Sequence, residues 1–514
     1  MNYIDEKKEL RQLLDMVPAS CWSRGRSSSA LTGVVTCITP DSRECVPGAM
    51  FVAVPGTRVD GNAFIPAALL AGASCIVSEQ EHPEVTEVPV IVVPSARQFL
   101  SLASQAFFDY PARHLQLIGI TGTSGKTSTA YLAKRVLEGM GIPAVMIGTT
   151  GYVMPDGVVY PPDALPATTP EAFQLNWYLR SGLDRGATVA IVEVSSFALA
   201  YDRVYGMRFD CAVFTNFSED HLGYHGTLEA YLQAKLKLFR SLEPGASAVL
   251  NADDAWMTAF RSAADGSRVI TYAMREPSDV HGSGAVSTAG RTQLCISIGG
   301  APPVPVTLSI GPAFQAYNAL AAIAAVHAVR PGEDLSPGLS ALGEPLYIPG
   351  RYERIVCGQP FEVIVDYAHT PEEFSALFDA VRPTISGDLL SVFGSVGADD
   401  REKRPLMARI AEQVCRWSYV TVEDPRREDA SIAVNDIVRG FTTDHVTVIE
   451  DRGAAIRAAI AAAQPGDAVL ILGRGHEAVM YYEGRDVALD DREEARKALE
   501  ELGFHCASTG GDGR

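Results

Sequence analysis

The chain has 514 residues, 47% of them hydrophobic and 20% charged, with a formal net charge of -19. These values describe a water-soluble globular protein, and the length predicts about three domains. The negative balance argues against nucleic acid or an anionic membrane as main partner, although a local cationic site can still hold an anionic substrate.

The opening MNYIDEKKEL lacks the apolar segment of a signal peptide, and no run of about 18 apolar residues follows anywhere in the chain. The expectation is a cytoplasmic protein without membrane insertion. The nine cysteines are scattered and form no C-x-x-C pair. That predicts reduced thiols and no zinc site.

Residues 1–113 read as a small N-terminal α/β domain. Apolar runs at 34–38, 50–54 and 75–77 predict short strands, and 64–70 a helix start. The loops carry Asp41, Ser42, Arg43, Gly56, Thr57, Asp60 and Gly61. Polar and glycine residues at strand ends suit a small polar group, but alone they are more often ordinary turns. A strand and an amphipathic helix over 96–109 lead to a linker at Tyr110-Pro111.

Residues 114–348 are organised around LQLIGITGTSGKTSTA, residues 115–130. An apolar strand runs into the glycine loop Gly122-Thr123-Ser124-Gly125. Lys126, Thr127 and Ser128 then open a helix with Ala130, Leu132, Ala133, Val136, Leu137 and Met140 on one side. This is the arrangement of a phosphate-binding loop. The glycines let backbone N–H groups converge on phosphate oxygens, and the helix N-terminus adds its positive end. Lys126 would reach the terminal phosphates, and the Thr127 hydroxyl would sit on Mg²⁺. The strict G-x-x-x-x-G-K-[ST] pattern is not met, because Ile120 stands at its first glycine.

Strand patterns recur at 189–194, 211–217 and 248–250 with helical patterns between them, predicting a central parallel sheet covered by helices. Residues 268–308 are Gly/Ser-rich with short alternating runs, predicting an antiparallel appendage. The strand at 189–194 ends in Glu193, followed by Ser195-Ser196. A carboxylate at such a strand end typically holds Mg²⁺ in a phosphate-loop protein, although acids there are common on surfaces. The loop NFSEDHLGYHG, residues 216–226, clusters Asn, Asp and His where a metal or phosphate could sit. Lys235 lies on a helix with Tyr231 and Leu238. Nothing in its surroundings sets it apart from a solvated helix lysine.

Residues 349–514 read as a C-terminal Rossmann-like α/β domain. Strands are predicted at 363–365, 389–393, 419–422 and 468–472, and helices at 371–381, 403–415 and 454–463, with a polar tail over 508–514. Arg351 lies just past the domain junction, and Asp366 and His369 follow a strand. The glycine turn 394–405 puts basic residues, Arg401 among them, in or just before the first turn of a helix. The helix dipole disfavours cations there, which hints at an anionic neighbour, with a solvated helix start as plausible an account. Glu423-Asp424-Pro425-Arg426 and Gly473-Arg474-Gly475-His476-Glu477 each follow an apolar strand. Ligands of open α/β sheets bind beyond such strand ends, and loops presenting Arg and Glu suit a zwitterionic amino acid.

With these residues in view the chain resembles the Mur ligases, the ATP-dependent peptide synthetases of bacterial cell-wall precursor assembly. Among them it is similar to the branch that adds the third amino acid. The resemblance spans nearly the whole chain: DSR in the first domain, TGTSGKT, ATTP, EVSS, NFSEDHLGYHG, the YLQAK lysine, NADD, GPAFQAYN, GRYE, DYAHTP, KRPLM, DPR and GRGHE. It implies ATP and Mg²⁺ as cofactors, with Gly122 to Ser128 around the phosphates and Thr127, Glu193, His221 and Lys235 at Mg²⁺. Lys235 matches the lysine that is carbamylated in this family. Gln315 and Asn318 match adenine-side contacts, and Arg351 and Asp366, with His369 beside them, phosphate and ribose contacts. Ser42 and Arg43 fall in the uridine-side region. Thr168, Thr169, Ser195 and Arg203 match contacts to the UDP-muramoyl peptide. Glu423, Asp424, Arg426, Gly473 and Glu477, joined by Arg401, match the incoming amino acid's site. Lys126, Glu193, His221, Lys235 and Arg351 are the implied catalytic set.

The implied reaction forms an acyl phosphate on the D-glutamate side chain of UDP-MurNAc-L-Ala-D-Glu, which the diamino acid then attacks. Domain closure around the substrates and a monomeric enzyme are expected. Several positions depart from the family pattern: Phe197 and Tyr201, Ala398 and Asp399 before Asp400-Arg401, and Glu423-Asp424 in place of Asp-Asn. Arg426 favours meso-diaminopimelate, whose distal carboxylate wants a cation. Asp424 could instead receive the terminal amine of lysine or ornithine. The rival readings are a folylpolyglutamate- or cyanophycin-type amide ligase and a catalytically idle nucleotide-binding homologue.

Overall fold

The computed structural model describes residues 6–25, 29–56, 59–161, 167–288, 290–397 and 401–506. Thr57, the departures Ala398, Asp399 and Asp400, and the tail 508–514 lie outside the described residues. The expected α/β class is what the structure shows. The described residues contain no helix long and apolar enough to cross a membrane.

The chain folds as two compact units, one of residues 1–121, 142–212 and 237–247, the other of 122–141, 213–236 and 248–514. The first unit holds two larger sheets and the two-stranded pair of Lys8–Glu9 with Val34–Val35. The N-terminal one contains Cys37–Thr39, Ala49–Val52, Cys75–Ser78 and Val90–Val92, all parallel, with Ser23–Arg24 added antiparallel at one edge. In the other sheet Val189–Glu193 lies between Gln116–Thr121 and Ala144–Gly148 and pairs parallel with both. The near-continuous apolar runs follow from this placement, since a parallel strand covered on both faces has no solvent side. The linker expected at Tyr110-Pro111 is a short turn of helix, Pro111–His114.

In the second unit the helix Lys126–Gly139 packs against Gln315–Val329 and Ser336–Ala341. Gln315–Val329 is apolar on all sides because it is buried on all sides. The expected appendage is present: Val280–Thr288, Arg291–Ile298 and Val304–Leu308 pair antiparallel. Arg268–Ala273 differs and joins it in parallel.

A six-stranded sheet holds the C-terminal part, with Glu362–Asp366, Ala468–Leu472, Leu389–Phe393, Cys415–Val420 and Val446–Val448 side by side and parallel. Glu353–Arg354 adds antiparallel at the edge. Two apolar cores form here, one around Phe374, Phe378 and Leu472, the other around Ile456, Ile460 and Leu499. The cysteines depart from expectation: Cys357 and Cys506 form a disulfide across 149 residues of sequence. Cysteines so far apart carry no local spacing signal, so the pair could not be read from the chain. The other described cysteines are free.

Candidate functional site

The glycine loop and the start of its helix occupy the second unit. Gly125 adopts φ +83, and a β-carbon there would collide with Asn318 Oδ1. Only glycine fits both demands. Asn216 shapes the loop from the opposite side, accepting Ser124 N–H at 2.9 Å on its side chain and Thr123 N–H at 2.9 Å on its carbonyl. The Lys126 ammonium turns back onto the loop and donates to the carbonyls of Gly122 at 3.0 Å and Thr123 at 2.8 Å.

Lys235 is fully buried and donates to Gly122 O at 2.6 Å. It lies over the Tyr231 ring at 4.4 Å, and the Tyr231 hydroxyl is 3.3 Å from Thr123 Oγ1. Burial, reinforced by the Lys126 charge, holds the Lys235 amine well below the usual lysine range. His221 adopts φ +55 and faces the buried Asp220 at 3.3 Å, with His369 Nε2 4.0 Å from the same carboxylate.

Residues much later in sequence reach the same loop. Arg351 Nη2 lies 3.4 Å from Thr127 Oγ1, and its guanidinium stacks 4.2 Å from the centre of the Tyr367 ring. Arg351 Nε is buried with no hydrogen-bond partner. Glu373 accepts from Ser124 Oγ at 2.6 Å and from His369 N–H at 2.9 Å. Asp366 accepts the N–H groups of Tyr352 at 2.6 Å and Ala368 at 2.8 Å, and burial pushes its carboxyl up. A cavity of about 480 Å³ opens here, lined by Ser124, Gly125, Ser128, Gln315, Asn318, Arg351 and Asp366 among others. Gln315 and Asn318 are joined to each other at 2.8 Å.

A nucleotide triphosphate fits this donor set: a glycine cradle, a helix start, a lysine and an arginine with a spare N–H. Thr127 and His221 offer donors suited to Mg²⁺. Among the described residues no three or more His, Cys, Asp or Glu side chains gather as a metal cage.

Glu193 sits in the first unit, at its strand end and fully buried. Its carboxylate accepts from Thr149 N–H and Thr149 Oγ1, each at 3.1 Å. Thr149 Oγ1 also lies 3.2 Å from Thr168 Oγ1. Thr169 Oγ1 donates to Glu193 O at 2.7 Å and accepts Ser195 N–H at 3.0 Å. Arg203 donates to Thr169 O at 2.7 Å and pairs with Glu171. Thr168, Thr169, Ser195, Arg203 and Glu193 thus form one cluster. Tyr201, one of the departures, lies beneath the guanidinium of Arg97 at 4.3 Å. Ser42 and Arg43 lie on a short helical turn of the N-terminal sheet, with Arg43 held by Asp41 at 2.9 Å.

The last cluster closes the C-terminal ends of the six-stranded sheet. Glu423 and Asp424 are buried, and a side chain on Gly473 would collide with the Glu423 carboxylate. Arg474 Nε lies 3.7 Å from Asp424 and 3.9 Å from Glu477, and the Tyr367 hydroxyl 3.4 Å from Glu477. Burial and the neighbouring Asp424 push the Glu477 carboxyl up to about 7. Arg426 is exposed and bonded by its backbone to Tyr481 O at 2.9 Å.

Arg401, expected beside this cluster, is taken by Asp436 in a two-pronged pair at 2.8 and 3.0 Å. Arg404 shares that carboxylate at 3.1 Å and reaches Glu428 at 2.7 Å. The anionic neighbour implied by cations at this helix start is therefore the protein's own pair of acids. Sequence reasoning missed Glu373, for which the Thr370…Glu373 spacing of a capping box was the available signal.

Three family descriptions match the chain: "Mur ligase family, catalytic domain" over residues 34–108, "Mur ligase middle domain" over 120–326 and "Mur ligase, glutamate ligase domain" over 350–475. A relative from Thermosynechococcus vestitus, named UDP-N-acetylmuramoyl-L-alanyl-D-glutamate–2,6-diaminopimelate ligase, is 38% identical over 499 residues, covering 95% of this chain and 98% of its own length. A solved structure of a ligase of that name aligns with a TM-score of 0.61 at 30% identity, over 91% of this chain and 96% of its own. Mycobacterium tuberculosis folylpolyglutamate synthase, solved with ADP, shares the fold at a TM-score of 0.61 and 20% identity, over 80% of this chain and 96% of its own. On three successive domain matches and a near full-length relative at this identity, the chain belongs to the Mur ligase family.

Proposed function

We propose that the protein is an ATP-dependent amide ligase that adds the third amino acid, meso-diaminopimelate, to UDP-N-acetylmuramoyl-L-alanyl-D-glutamate in peptidoglycan precursor synthesis. The observation that carries the ligase reading is the placing of Arg351 on the phosphate loop, 3.4 Å from Thr127 Oγ1 and with a spare buried N–H. The substrate follows from the named relatives and from the acid- and arginine-lined cluster at Glu423, Gly473 and Glu477. The proposed division is an N-terminal UDP-binding domain at 1–113, an ATP-binding domain at 114–348 and an amino-acid-binding domain at 349–514. We read the enzyme as a cytoplasmic monomer.

Lys126 and Arg351 neutralise the triphosphate, so that the D-glutamate carboxylate can approach its terminal phosphoryl group. Thr127, His221 and carbamylated Lys235 would hold Mg²⁺, which would screen the same charge. Gln315, Asn318, Asp366 and His369 face the nucleoside, and Ser42 and Arg43 the uridine. Thr168, Thr169, Ser195 and Arg203 hold the muramoyl peptide. The carboxylate oxygen attacks phosphorus, ADP leaves, and the resulting acyl phosphate is the electrophile. Glu423, Asp424 and Glu477 receive the ammonium side of the diamino acid, and Arg426 its distal carboxylate. The free amine attacks the acyl carbon, phosphate departs with the C–O bond, and the amine's extra proton is lost.

Incubation with ATP, Mg²⁺, the UDP-dipeptide and meso-diaminopimelate, followed by mass spectrometry of the nucleotide-linked product, tests this. A UDP-muramoyl tripeptide is the expected product; an unchanged dipeptide contradicts the proposal.

A further inference from the structure

Three arginines head the fully buried side chains: Arg404, Arg452 and Arg474. Arg404 is met by Asp436 and Glu428. Arg474 bonds two carbonyls, Leu489 O at 3.0 Å and Val479 O at 2.7 Å. Arg452 is placed differently. It opens the helix Arg452–Ala462, where the dipole disfavours a cation, and it does so out of water.

Its Nε and Nη2 each donate to the Asp491 carboxylate at 2.7 Å. Nη2 also donates to Leu472 O at 2.7 Å. The third nitrogen, Nη1, is buried with no hydrogen-bond partner and lies 3.6 Å from Glu423 Oε2, which has none either. Leu472 directly precedes Gly473, whose missing side chain leaves the space for the Glu423 carboxylate. Asp491 is itself fully buried at the start of the helix Asp491–Glu501, where an acid is favoured. One guanidinium thus spans three strand and helix ends, and two of them carry the candidate amino-acid site.

A buried cation that spends two of its nitrogens on a clamp and leaves the third facing a site carboxylate is costly for stability alone. The clamp does, however, fix where that carboxylate stands. We propose that Arg452, held by Asp491, is a positioning residue for the incoming diamino acid: it sets the Glu423 carboxylate against Gly473 so that it meets the ligand's ammonium group. Burial drives the Glu423 carboxyl up, and the Arg452 charge is the main opposing influence, which fits the same role. The proposal rests on the reading of Glu423 and Gly473 as the amino-acid site.

The test is steady-state kinetics of R452K and D491N with each of the three substrates varied in turn. Lysine keeps the charge but cannot span Asp491, Leu472 and Glu423 together; asparagine keeps the shape of Asp491 without its charge. The KM for the diamino acid should rise about tenfold or more in both, the scale of a hydrogen bond to a charged group. The KM values for ATP and the UDP-dipeptide should stay within about twofold. In R452K/E423Q the two effects should not add, because the residues act as one unit. An unchanged KM for the diamino acid, or an equal rise for all three substrates, overturns the proposal while wild-type turnover leaves the ligase reading intact. If R452K does not fold, D491N decides by the same readout. Wild-type protein that turns over no diamino acid overturns the ligase reading and this proposal with it.

Discussion

Lys235 donates to the carbonyl of Gly122 at 2.6 Å from a position only 1% exposed, so the phosphate loop is buttressed by an amine held well below its ordinary range. An uncharged amine is the form that adds carbon dioxide to give a carbamate, and the proposed carbamylation of Lys235 needs that form. Activity should fall in carbonate-depleted buffer and recover with bicarbonate. Lys235→Ala should lose about 10²-fold or more in kcat, the scale of removing one charged group from a phosphoryl-transfer site. Full activity of Lys235→Ala in the same assay would contradict the role.

Gly125→Ala should raise the KM for ATP about tenfold or more, because φ +83 and the collision with Asn318 Oδ1 both oppose the new methyl group. Nucleotide binding by calorimetry checks this directly. Affinity for the UDP-dipeptide should be unchanged.

Arg351→Ala should lower kcat by about 10²- to 10³-fold with little effect on the KM for the diamino acid, since its guanidinium is proposed to meet the charge on the transferred phosphoryl group. Removing its stack on Tyr367 should also lower the melting temperature slightly.

Glu477 carries a pH dependence of defined sign. Its carboxyl is pushed up to about 7 from an ordinary value of 4.5 by burial and by Asp424. Between these values the folded protein holds a proton that the unfolded chain has released, so its contribution to stability falls as pH rises through the window. Glu477→Gln should therefore gain in melting temperature relative to wild type between about pH 5 and pH 8. The same ionisation would create the charge proposed to attract the ligand's ammonium group. The wild-type KM for the diamino acid should fall as pH rises through about 7, and Glu477→Gln should flatten that profile.

The glycine loop was legible in the sequence because a strand, a turn and a helix must follow in fixed order for backbone N–H groups to converge. Leu389–Phe393, Ala468–Leu472 and Pro371–Val381 were equally plain, as fully apolar runs or as a Thr-Pro helix start. Val446–Val448 escaped because it is short and only partly buried. The chemistry of the third cluster was half visible. Glu423, Gly473 and Glu477 stand at strand ends, where ligands of open sheets bind. Arg452 and Asp491 lie 39 residues apart, and no local pattern distinguishes a buried pair from two solvated charges. Arg401 shows the converse: a cation at a helix start pointed to an anion, and the anion is Asp436.

Phosphate release from ATP in the presence of the UDP-dipeptide, with meso-diaminopimelate, L-lysine and L-ornithine offered separately, tests the central claim most directly. Release that needs both the UDP-dipeptide and meso-diaminopimelate is the predicted result. No release with any of the three, at adequate Mg²⁺ and bicarbonate, would contradict the assignment as a third-residue ligase.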